Sequence, residues 1–145
     1  MHNDIYASGF LYHPKTAQIL LQQQNPANEN SAWTLFGVNT FKNKTAEESL
    51  KDFFLKELNI KLNLKNINIV YNYFSKELNK DNNVYYVEVK SLHKIPESKK
   101  INCAWFTFKK IQKMNLTAQA KHDIVVGQRV IDSSIRRSLG QQTIG

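Results

Sequence analysis

One stretch of the chain combines residue types and spacing that could do chemistry. Trp33–Ile60, WTLFGVNTFKNKTAEESLKDFFLKELNI, reads as a turn feeding a helix. On that helix Phe53, Lys56 and Glu57 stand three and four residues apart, so they share one face. The face offers an apolar ring, an ammonium and one carboxylate. Glu57 could anchor a divalent cation, because magnesium takes octahedral oxygen ligation from carboxylates, phosphates and water. Lys44 and Lys56 could neutralise phosphate as point charges, and Lys56 could equally pair with Glu57 or repel its metal. Trp33 and Phe36, at the start of the stretch, could stack on a base, and Phe53 could add to such a surface. Each has an ordinary alternative: solvated lysines, and core packing for the rings.

Elsewhere the chemistry is sparser. Glu88, in the strand-like run VYYVEVK, and Glu97, in a loop, could supply further carboxylates. The ordinary role of Glu88 is an outward-facing strand residue. Tyr71, Tyr73, Phe74, Tyr85 and Tyr86 could line a ligand cleft, although cross-strand packing explains such a group as well. His122-Asp123 opens the final helical pattern, where Asp123 is expected to serve as N-cap. Arg129 could reach a phosphate or simply face solvent. His2, His13, His93 and His122 show no metal-ligand spacing. No phosphate-binding glycine loop, nucleophile elbow or placeable Cys–His pair is present.

The 145 residues suit one domain with one core, expected to span 1–145. Hydrophobic residues make up 41% and aromatics 11%, enough to fold. The net charge of +8, from 20 basic and 12 acidic side chains, favours anionic partners: nucleotides, phosphorylated metabolites or RNA. A scattered, solvated basic surface is the alternative. The densest cluster, KSLHKIPESKK (Lys90–Lys100), holds no aromatic residue for stacking on a base. No apolar run is long enough to cross a membrane. MHNDIYASGF lacks the basic and apolar regions of a signal peptide. Cys103 is the single cysteine, and a reducing, cytoplasmic setting is expected.

The elements that must position these residues follow from local pattern. Ile5–Tyr12 and Gln18–Gln24 read as a hairpin, and Asn25–Ala32 as a polar loop. Trp33–Phe36 reads as a short strand punctuated by Gly37. Thr45–Leu58 is the clearest helix. Thr45 and Glu48 form a capping-box pattern, Leu50, Phe54 and Leu58 recur every four residues, and Asn59 suits a left-handed cap. Ile67–Phe74 and Val84–Lys90 read as strands around a Ser75–Asn83 loop. Ala104–Phe108 reads as another strand, Lys109–Met114 as a short amphipathic piece and Asp123–Leu139 as a helix stopped by Gly140. The order predicts an α+β sandwich with a mixed sheet between two helices.

The chain resembles the Nudix family. ASGFLYHPKTAQILLQQQ is similar to that family's opening hairpin, WTLFG to its W-x-L-P-G segment, and NCAWFTFKKIQKMNL to its W-F-x-x-x-E-U-x-x-L segment. The resemblance implies an α/β/α sandwich and cleavage of nucleoside diphosphates linked to another moiety, with Mg2+ or Mn2+ as cofactor. The family's box is a glycine, five residues, a glutamate, seven residues, then R-E-U-x-E-E-x-G-U. Aligned without a gap from Trp33 to Ile60, its glycine falls on Val38, beside Gly37, and its first glutamate on Lys44. Its arginine falls on Asp52, its last three glutamates on Phe53, Lys56 and Glu57, and its late glycine on Asn59. Bulky Phe54 and Ile60 are retained, and Glu57 alone remains of the carboxylates. Two readings stay open. One is a hydrolase of weak or altered activity, with Glu57 as catalytic and metal residue, Glu88 as a second ligand, and Lys44, Lys56, Trp33, Phe36 and Phe53 holding substrate. The other is a non-catalytic Nudix domain that binds a nucleotide, RNA or a protein, a homodimer included.

Overall fold

The computed structural model describes residues 5–40, 43–95 and 101–144, with side chains through residue 140. Its strands are β1 (Ile5–His13), β2 (Gln18–Gln23), β3 (Trp33–Thr34), β4 (Phe36–Asn39), β5 (Ile67–Ser75), β6 (Lys80–Glu88) and β7 (Cys103–Thr107). Its helices are α1 (Ala46–Leu58), α2 (Phe108–Ile111) and α3 (Ala118–Ile144). The seven strands form one mixed sheet ordered β3-β2-β1-β6-β5, with β4 also paired to β1 and β7 to β2. Among the strand pairs of the described residues the central β1–β6 pairing alone is parallel, with Gly9 beside Tyr85, and an isolated bridge joins Trp33 to Leu116 in the same sense.

Alternation along the strands gives each face its own core. Ala7, Leu11, Leu20, Tyr85 and Val87 pack with Leu50, Phe54 and Leu58 of α1. Phe10, Ile19, Leu21, Val84 and Tyr86 pack with Ile111, Ile124 and Ile131 under α2 and α3. Gly9 is needed where β1 passes β6, because a Cβ there would lie 2.6 Å from the Tyr85 carbonyl oxygen.

Helix α1 follows its sequence signals closely. The Thr45 hydroxyl accepts from the Glu48 amide at 3.1 Å, and the Glu48 carboxylate accepts from the Thr45 amide at 3.0 Å. Asn59 closes the helix in the left-handed region at φ 55°, and the Ile60 amide donates back to the Phe54 carbonyl.

Four local expectations change. Gly37 does not punctuate a strand but lies within β4, paired to Ser8. The Ser75–Asn83 loop contracts to a turn, because Lys80–Asn83 already pair with β5 and Asn79 takes a positive φ of 54°. Helix α3 starts at Ala118, capped by the Thr117 hydroxyl, which accepts from the Ala120 amide at 3.1 Å. Asp123 is therefore inside the helix and is no N-cap, and α3 runs past Gly140 to Ile144.

Candidate functional site

The loop before α1 and the second half of that helix carry Lys44, Phe53, Lys56 and Glu57, while Trp33 and Phe36 stand on β3 and β4. The Lys44 ammonium is bonded to the Asp52 carboxylate, tying the loop to the middle of α1. That hydrogen bond, with the charge of Asp52, pushes the Lys44 pKa up. The pair has the opposite polarity to the glutamate and arginine that the sequence resemblance aligns with positions 44 and 52. Phe53 is half-buried, its ring centroid 6.1 Å from that of Phe36 and 5.7 Å from that of Phe54. Lys56 and Glu57 are exposed. Phe36 has no exposed surface, so it braces the core and offers no face to a ligand. Trp33 is half-buried against Phe106, with centroids 4.9 Å apart, and belongs to the α3-side core.

The two carboxylates expected to share a metal lie on different sides of the sheet. Glu57 is on α1. Glu88 alternates away from the α1-side residues Tyr85 and Val87, and its charge helps raise the pKa values of Tyr12 and Tyr86, both in the α3-side core. Glu97 lies outside the described residues. Among the described residues no group of three or more His, Cys, Asp or Glu side chains could hold a metal ion. The α1 face offers the Mg2+ or Mn2+ that the resemblance implies one exposed carboxylate, Glu57, with the Lys56 ammonium next to it in sequence, so protein ligands are sparse and phosphate and water would have to supply the rest.

Sequence reasoning missed two polar arrays. On the α1 side the Tyr85 hydroxyl donates to Glu47 at 3.2 Å and accepts from the Asn83 amide at 3.3 Å. Burial, with the Glu47 charge adding to it, pushes the Tyr85 pKa up to about 12. On the α3 side Asp123 is fully buried and accepts from Tyr71 at 2.6 Å and from Tyr73 at 3.1 Å. Asn82 donates to the Tyr73 hydroxyl at 3.2 Å and accepts from Ser8 at 2.8 Å. Tyr71 already donates to Asp123, so it receives the Nδ1 proton of exposed His122, 2.6 Å away. The tyrosine group is therefore an anchorage for α3. The one signal in the sequence was an Asp whose position on the wheel of a longer helix falls beside core residues.

The described surface also has hollows. About 540 Å3 lies along Arg129, Ser133, Arg136 and Arg137 on α3. About 300 Å3 lies by His13, Lys15, Glu88 and Lys90. About 360 Å3 lies between α2 and α3.

With this architecture in view, solved structures provide the comparison. The Nudix domain of Shewanella oneidensis NrtR, solved in complex with ADP ribose, aligns over 88% of this chain and 86% of its own at 13% identity, with a TM-score of 0.65. The chain has a Nudix fold. The C-terminal domain of mouse MUTYH, solved in complex with human PCNA, aligns over 90% of this chain and 91% of its own at 11% identity, with a TM-score of 0.68. A MutT/nudix family protein from Enterococcus faecalis aligns over 73% of this chain at 17% identity, with a TM-score of 0.58. The chain spans under half of that protein, 44% of its length. No family model matches the sequence. No curated protein matches it either. Helix α1, capped by Thr45 and Asn59, carries Phe53, Lys56 and Glu57, which the ungapped alignment of the sequence sets against three glutamates of the family pattern. No helix among the described residues is long and apolar enough to cross a membrane.

Proposed function

We propose that residues 1–145 form a single Nudix-fold domain that binds a nucleotide-like phosphorylated molecule, in a cytoplasmic setting, without the metal-dependent cleavage of the family's box. The observation that carries this reading is the state of box positions 53, 56 and 57. Phe53 is committed to an aromatic cluster with Phe36 and Phe54, and Lys56 puts an ammonium beside the one carboxylate left, Glu57. Cleaving a diphosphate requires neutralised bridging oxygens and an activated water. Glu57 is the one carboxylate left at those positions to hold a cation that would supply both, and the Lys56 ammonium next to it in sequence works against that cation. The net charge of +8 favours an anionic ligand over a cationic or neutral one.

The test is a hydrolysis panel of nucleoside triphosphates, dinucleoside polyphosphates and nucleotide sugars with Mg2+ or Mn2+, run beside metal-free thermal shifts. The expected result is no turnover above blank and a melting temperature raised by at least one nucleotide without metal. Metal-dependent turnover lost in Glu57→Gln would overturn the proposal in favour of a thinned hydrolase site anchored by Glu57.

A further inference from the structure

The groove between α2 and α3 lies across the sheet from the box helix. Its apolar floor is Phe108, Ile111, Met114, Leu116 and Ile124, with Ile111 and Ile124 buried and Val125 exposed at its edge. Three amides, Gln112, Asn115 and Gln128, stand on its walls, and Lys121 is the charged group that lines it. Among the described residues the side chains of Gln112 and Gln128 have no hydrogen-bond partner, and Lys121 has no carboxylate within ion-pair distance. Lys109, Lys110 and Lys113 flank the groove on α2 and the turn after it, and no Asp or Glu occurs from Cys103 to His122.

These features select one ligand chemistry. Its volume, about 360 Å3, is at the lower end of small-molecule sites, which bury an apolar body and fix it with a few polar groups. An apolar floor takes a planar ring. The free amides of Gln112 and Gln128 can both donate to and accept from the polar edge of a heterocycle, and Asn115, whose Nδ2 donates to the Asn30 carbonyl at 3.5 Å, keeps its Oδ1 as an acceptor. Lys121, the one charged residue of this lining, attracts a phosphate and repels a cation.

We propose that the α2–α3 groove binds a nucleotide, with the base on the Ile111–Leu116–Ile124 floor, its edge on Gln112, Asn115 and Gln128, and the phosphate at Lys121. The inference rests on the reading of the domain as a binder of nucleotide-like anions, and moves the ligand from the box helix to the opposite face.

The experiment is metal-free calorimetric titration of the full chain with AMP, adenosine and ribose 5-phosphate, repeated with Lys121→Glu, Val125→Asp and Lys56→Glu. Lys121, Val125 and Lys56 are exposed, and circular dichroism checks that each variant is folded. The expected result is that AMP binds at least tenfold tighter than either fragment and that Lys121→Glu and Val125→Asp each weaken it at least tenfold. AMP binding that survives both changes but falls with Lys56→Glu would overturn the groove and leave the nucleotide-binding reading standing. Ribose 5-phosphate binding as well as AMP, unaffected by Val125→Asp, would reduce the groove to diffuse charge attraction and overturn it. No binding of AMP or of either fragment would overturn the groove, while a metal-free thermal shift with any other nucleotide would keep the broader reading.

Discussion

Replacing Asp123 by Asn separates two accounts of the same residue. As an N-cap, Asp123 would tolerate Asn within a few tenths of a kcal/mol, because the two cap equally well. In the structure it is a fully buried acceptor of two phenol protons inside α3, where Asp and Asn also have similar helix propensity. The substitution keeps one acceptor oxygen and turns the other into an N–H donor. Tyr71 and Tyr73 then compete for one acceptor, and Tyr73 cannot simply reverse, because Asn82 already donates to it. One bond to a charged group is lost, worth about 1.5–3 kcal/mol, and the other loses its charge assistance. The expected destabilisation is about 2–3 kcal/mol. In urea, with a slope of about 1–3 kcal/mol/M, the midpoint falls by roughly 1–2 M without a change in slope. Tyr73→Phe combined with Asp123→Asn should be non-additive by at least about 0.5 kcal/mol, since the two share a bond. A loss below about 0.5 kcal/mol, or strict additivity, would refute the account of Asp123 as the anchorage of α3.

Alkaline stability should follow the tyrosines. Tyr73 and Tyr85 have pKa values pushed up to about 12, chiefly by burial. Their unfolded phenols ionise near 10. The folded state therefore binds these protons more tightly, so stability is full below about pH 10 and is lost as pH rises from there through about 12. Tyrosinate absorbance should rise with unfolding in that window, and ionisation of all six tyrosines near pH 10 in the folded protein would contradict this. Thr45→Ala should cost about 1 kcal/mol through the capping box, read by thermal melting. Asn59→Ala should cost a similar amount at φ 55° while Asn59→Gly changes little. The double change Phe53→Glu with Lys56→Glu places three carboxylates on one face of α1. A Mn2+-dependent rise in melting temperature is expected there and not in the wild type, and no response would show that more than the missing carboxylates keeps metal away.

What the sequence revealed and what it hid divide along local and non-local physics. The box helix was legible because its caps and its four-residue apolar period are all local signals. The mixed sheet followed from β-branched runs and from the resemblance. The start of α3 was not legible. Asp123 is a better cap than Thr117 in isolation, and what overrules it is two tyrosine hydroxyls from β5, about fifty residues away in sequence. The Glu47–Tyr85 contact and the separation of Glu57 from Glu88 by the sheet are of the same kind. Each depends on which strand face a residue occupies, and the β5 bulge between Ile69 and Tyr71 is one place where simple alternation fails.

The same local physics holds helix α1 of this Nudix fold. Helix α1 and its described flanks are held by interactions that require no metal: the Thr45–Glu48 box, the Lys44–Asp52 pair, the Asn59 cap, and Leu50, Phe54 and Ile60 in the core. The positions that depart from the box pattern include 53 and 56, where clustered carboxylates would repel one another unless a cation lay between them. Replacing them with a ring that packs on Phe36 and an ammonium removes that repulsion and leaves the frame intact.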